Sequence, residues 1–108
     1  MDAQLKAKWV EALRSGEYQQ ANGELRDTSE DTPKYCCLGV LCNVMGASWS
    51  QGLPLLDGLM LQSEDEELLS IEALGMAGFN QKTEGTLATM NDSGTPFPEI
   101  ADYIEKNL

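Results

Sequence analysis

Apolar residues recur along this chain at helical spacing in some stretches and in short extended runs elsewhere. Leu5, Trp9, Ala12 and Leu13 stand at i, i+4, i+7 and i+8, which predicts an amphipathic helix over residues 2–15. Arg14 falls in its last turn and Gly16 supplies the stop, with Trp9 as the core anchor. Leu38, Leu41, Cys42 and Met45 repeat the pattern at i, i+3, i+4 and i+7, so a second helix runs from Cys37 to Gly46. Gly39 sits inside it at a propensity cost of about 1 kcal/mol, which marks close approach of another backbone. Phe97, Ile100, Ala101, Ile104 and Leu108 form the stripe of a last helix, with Pro96 or Pro98 in its first turn. Two weaker helices are expected. One spans Asp65–Leu74, with acids in its first turn and Gly75 and Gly78 breaking it; the other covers 82–91, with Leu87 and Met90 on its face and Gly85 against it.

The intervening stretches read as extended structure. Asn22-Gly23 tolerates positive φ at both positions and predicts a hairpin with strands near 18–21 and 24–27. Tyr35-Cys36 is a candidate third strand, beyond a polar loop at 27–33. Asp57-Gly58 between apolar pairs within 53–62 reads as a second hairpin or as an apolar loop over the core, and residues 91–94 read as a turn. With no repeat or linker visible, residues 1–108 are expected to form a single domain. Its fold class is α+β, mostly helical, with a small antiparallel β-hairpin or meander.

Charge narrows the function classes. Eighteen acidic residues against seven basic ones give a net charge of -11. A surface of that sign repels nucleic acid and anionic lipid and favours a basic partner. No apolar run is long enough to cross a membrane, and the polar N-terminal stretch lacks the apolar segment of a signal peptide. The expectation is a cytoplasmic protein with reduced thiols.

The three cysteines, Cys36, Cys37 and Cys42, lie within seven residues. There is no histidine and no fourth cysteine to complete a zinc set. Cys36 and Cys37 diverge as neighbours, and Cys37 and Cys42 are about 140° apart around a helix, so neither a metal site nor a cofactor is expected. Buried structural thiols are one reading. The other is a reactive Cys36 or Cys37 activated by a helix start or by Lys34. The run Glu64-Asp65-Glu66-Glu67 reads as a solvated surface. One polar constellation stands out: Arg14, Tyr18, Gln20, Arg26 and Tyr35, whose arginines offer forked donors to an anionic or nucleotide ligand. The alternative is that both arginines pair with the protein's own acids.

The stretches Trp9–Gln20, Gly23–Arg26 and Tyr35–Cys42, with Leu87–Gly94 and Phe97–Glu105, resemble a family of small proteins encoded by bacteriophages and bacteria, marked by Tyr-Cys-Cys-Leu-Gly-Val-Leu-Cys. The chain departs from that pattern at Asn43, in place of Asp, and at Pro98, in place of Glu. The resemblance implies a phage accessory context, in which small acidic proteins bind a host protein in its cytoplasm. The leading expectation is thus a non-catalytic binding protein, an anti-defence or accessory factor engaging a basic host surface. The alternatives are a small-ligand binding or sequestering protein and a cysteine-dependent enzyme or redox protein.

Overall fold

The computed structural model describes residues 1–108. Five helices and two three-stranded sheets follow the order α1 (Ala3–Arg14), β1 (Gln19–Gln20), β2 (Arg26–Asp27), β3 (Lys34–Tyr35), α2 (Cys37–Met45), β4 (Ser48–Ser50), β5 (Leu53–Leu56), β6 (Leu59–Met60), α3 (Ile71–Ala77), α4 (Gln81–Asp92) and α5 (Phe97–Asn107). This is the α+β, mostly helical arrangement expected. No helix is long and apolar enough to cross a membrane.

Helix α2 is the centre. Its first six residues, Cys37 to Cys42, are all buried, and α1 and α4 pack against it. Helix α1 starts at Asp2, whose carboxylate accepts from Leu5 N–H at 2.9 Å, and it also packs along α5. Trp9 is fully buried; its indole N–H donates to the Cys37 carbonyl at 2.9 Å and its ring stacks on Phe79 at 5.7 Å. Gly46 ends α2 in the left-handed conformation that a Cβ would strain.

The second sheet, β4-β5-β6, is an antiparallel meander, and Asp57-Gly58 turns β5 into β6 with both residues at positive φ, as the hairpin reading expects. The first sheet departs from expectation. Its order is β1-β3-β2: β3 lies between the two strands that Asn22-Gly23 was expected to pair, parallel to β1 and antiparallel to β2. The cause lies in the connection. Ala21 and Leu25 are both buried, which splays the two arms. The slot between them is filled by β3 and its continuation: Ala21 N–H donates to Tyr35 O, and Cys36 N–H donates to Leu25 O.

The helix expected over Asp65–Leu74 is displaced. Ser70 caps α3 by accepting from Ala73 N–H, so the helix begins at Ile71, runs through Gly75 and ends at Gly78. The acidic residues before it form a strap, held where Leu25 N–H donates to Glu66 O and Ser63 N–H to Leu68 O. Asn91 and Asp92 belong to α4, so the turn after it is only Ser93-Gly94.

Gly39 is the close approach its position suggested: a Cβ there would lie 1.8 Å from the Leu25 carbonyl oxygen. Gly39→Ala is expected to cost about 3 kcal/mol or more, since backbone must move to admit the methyl. Gly85→Ala, with nothing within 4 Å and an exposed mid-helix position, is expected to stabilise by up to about 1 kcal/mol. Urea denaturation of both variants checks the contrast; equal midpoints would refute it.

Candidate functional site

The polar constellation divides in three. Arg14 pairs with α5: it reaches Asp102 at 2.7 Å and Glu105 at 3.2 Å, and hydrogen bonding from Glu105 first and then Asp102 raises its pKa further. Gln20 turns the other way, donating to Asn91 Oδ1 at 3.0 Å and Thr95 O at 2.8 Å. Tyr18, Arg26 and Tyr35 do come together. The Tyr18 and Tyr35 rings meet edge to face at 5.2 Å, and Tyr35 meets Trp49 at 5.9 Å. The Arg26 guanidinium lies over both Trp49 and Tyr35, its carbon 5.2 Å and 5.8 Å from the ring centroids.

Each member has a reason for its place. Tyr35 is in the central strand β3, Arg26 opposes it across the antiparallel pair, and Trp49 comes from β4. Asn43, on α2, fixes the indole by accepting from Trp49 Nε1 at 2.6 Å, and its amide reaches Tyr18 Oη at 3.5 Å. An aspartate there would accept from the indole but could not donate to the tyrosine. Arg26 has no carboxylate partner: the chain's ion pairs use Arg14 and Lys34. Its Nε is the only buried side-chain nitrogen or oxygen without a hydrogen-bond partner. Beside it opens a cleft of about 330 Å³.

Three features were not singled out from sequence. Trp49 completes the aromatic cluster, anchored by Asn43, which the sequence marks only as a departure from the family pattern. Asn91, fully buried, accepts from Cys37 N–H at 3.1 Å and donates to Ala21 O at 2.6 Å. An Asn-Asp-Ser-Gly run carries a turn signal, and only the helical period of α4 could have placed Asn91 inward. The third is acidic. Glu67 is half-buried rather than solvated; burial, and then hydrogen bonding and repulsion from Asp92, push its carboxyl up to about 7. Asp92 also accepts from Gly23 N–H at 3.1 Å. Glu84, 3 % exposed, is likewise raised by burial, although Leu69 N–H donates to it at 2.6 Å.

The thiols sit in the core. Cys36, Cys37 and Cys42 are free and buried. Burial pushes Cys36 and Cys42 up to about 12 and Cys37 well above its ordinary value. Cys36 does stand at the N-cap position of α2, without a side-chain capping bond, and the Gly39 and Leu38 N–H groups pull its pKa down, but burial outweighs them. Lys34 is tied to Glu30 at 3.2 Å. No group of three or more Cys, Asp or Glu side chains is disposed to hold a metal ion.

The exposed apolar side chains have a common setting. Leu53, Ile71 and Met76 are the large ones in solvent, Ile71 at 73 %. All three fall between Tyr35 and Gln81, a stretch with Asp57, Glu64, Asp65, Glu66, Glu67 and Glu72 and not one lysine or arginine. Ile71 borders a groove shared with Leu59, Met60, Glu64 and Glu72.

Residues 1–53 are similar to a domain of unknown function (DUF8296). That part holds α1, the first sheet, α2 and β4, and so the whole aromatic cluster with Arg26; the strap and Asn91 lie beyond it. No curated protein and no solved structure matches the chain.

Two outcomes follow. At pH 8 an aromatic disulfide reagent should leave the native thiols unmodified while labelling all three in urea; rapid labelling of the folded chain would refute their burial. Glu67 binds its proton more tightly folded than unfolded, so its contribution is fully present below about pH 4.5 and is lost as pH rises through about 7. Glu67→Gln should therefore raise the melting temperature at pH 8, with the advantage shrinking towards pH 5. A pH-independent difference would show that Glu67 does not face Asp92 as a proton-sharing pair.

Proposed function

We propose that this chain is a non-catalytic binding protein that docks a basic surface of a partner protein, in keeping with an accessory role in a phage-infected or bacterial cytoplasm. One observation carries the reading: the large apolar side chains left in solvent, Leu53, Ile71 and Met76, all belong to the stretch that has six acids and no base. An apolar residue rimmed by carboxylates suits a partner that presents an apolar side chain flanked by Lys or Arg. Solvated carboxylates would speed encounter, and burial of Ile71 in the groove beside Met60 would supply the lasting contact.

Catalysis has less support. The thiols are held protonated by burial, and Glu67, the carboxyl tuned near neutrality, lines neither the Arg26 cleft nor the Ile71 groove.

The test is affinity capture from bacterial lysate, followed by binding to the purified partner. Affinity should fall as salt rises. Ile71→Ser, at a position too exposed to matter for folding, should weaken binding by about 30-fold. Glu64→Gln with Glu72→Gln should flatten the salt dependence. Retention of full affinity by Ile71→Ser at both low and high salt would overturn the proposed face.

A further inference from the structure

The cleft beside Arg26 meets the Ile71 groove at Gln62 and has Leu53 in its lining, but its charged walls are its own and carry a separate inference. Its walls come from three segments: Glu24, Arg26 and Thr28 around β2, Gln51 at the β4–β5 turn, and Gln62 and Glu66 on the strap. One base and two carboxylates thus share one concavity, and the base makes no ion pair with either carboxylate.

The position of Arg26 explains why its donors are free. The Trp49 and Tyr35 rings hold its guanidinium, and Asn43 fixes the indole of Trp49. A guanidinium held in this way has already lost much of its conformational freedom, which lowers the cost of forming a forked bond to an incoming carboxylate. A purely anionic ligand such as a phosphate or a nucleotide would meet Glu24, Glu66 and the field of a chain with charge -11. A purely cationic one would meet Arg26. The matching ligand carries both charges, and the amides of Gln51 and Gln62 with the Thr28 hydroxyl provide neutral partners for the atoms between them. At about 330 Å³ the cleft is at the small end of ligand pockets, suited to a molecule of amino-acid size.

We infer that the cleft between β2, the β4–β5 turn and the strap is a binding site for a small zwitterion, its carboxylate on Arg26 and its ammonium group on Glu24 and Glu66, with basic amino acids favoured over acidic ones. The same chemistry is offered by a free amino acid and by the C-terminal lysine of a peptide.

Heteronuclear NMR of the full chain reads the site directly, because Trp49 lies beneath Arg26 and its indole N–H gives an isolated signal. Titration with L-lysine should move the Trp49 indole resonance and leave that of the buried Trp9 in place. L-Lysinamide, which lacks the carboxylate, and L-glutamate should each bind about tenfold more weakly or worse. N-acetyl-L-lysine separates the two sources: affinity equal to that of lysine assigns the site to a chain terminus, and a large loss assigns it to the free amino acid. Arg26→Gln should abolish the response. Glu66→Gln, at an exposed turn whose backbone alone is bonded to Leu25, should weaken lysine binding without disturbing the fold. An unmoved Trp49 signal with every probe, or lysinamide matching lysine, would overturn the inference.

Discussion

Three polar backbone or amide groups converge where α2 begins, and the Asn91 side chain is what meets them there. The Cys37 N–H belongs to the orphan donors of a helix start, the Ala21 carbonyl follows β1, and the Gln20 amide points inward. Left unpaired in the core, each would cost about 1–3 kcal/mol. One carboxamide accepts from two of them and donates to the third. Gln20 then carries the connection to Thr95 O, ahead of α5. No other residue of this size accepts and donates in this way: an aspartate could not donate to Ala21 O, and a leucine could do neither.

With that end of α2 fixed, the β-layer has one way to sit on it. The Leu25 carbonyl lies where a Gly39 Cβ would be, and it also accepts from Cys36 N–H. The backbone between β1 and β2 thus rests on the first turn of the helix. Arg26 leaves this contact directly into β2, opposite Tyr35, which places its guanidinium over the aromatic cluster. The route from glycine to candidate site is short: a missing methyl admits a carbonyl, the carbonyl sets a strand, and the strand aims an arginine. The same packing buries the cysteines, so all three thiols of that segment lie in the core.

Sequence periodicity revealed the elements whose apolar faces are continuous. Helices α1, α2 and α5 and the Asp57-Gly58 turn were legible because each depends on neighbours close in the chain. The order of the first sheet was not. Asn22-Gly23 carries the local signal of a tight turn, but the burial of Ala21 and Leu25 is decided by α2, far along the sequence. The acidic run at 64–67 has helical propensity and first-turn charge, yet Ser70 has the better cap and the run is drawn out as a strap. Of the five ligand candidates, Tyr18, Arg26 and Tyr35 meet because β2 and β3 are paired. Arg14 and Gln20 are diverted by partners about 70 or more residues away, Asn91 on α4 and Asp102 and Glu105 on α5, which no local pattern encodes.

Charge links the two proposed binding surfaces to the stability of the fold. Four of the seven bases lie on α1 and α5, where Arg14 answers Asp102 and Glu105, while the stretch from Tyr35 to Gln81 has none. That stretch has no base of its own, and Glu67, raised to about 7 by burial and then by Asp92 beyond the stretch, sheds charge as pH falls through neutrality. A basic surface seated on Ile71, or an ammonium group between Glu24 and Glu66, would relieve carboxylate repulsion from outside. Binding energy would then include the removal of a cost already present in the free chain. On the proposed reading, the surplus of carboxylates is what would make a cationic partner favourable, and the unpaired Arg26 is where that preference would be given an anionic counterpart.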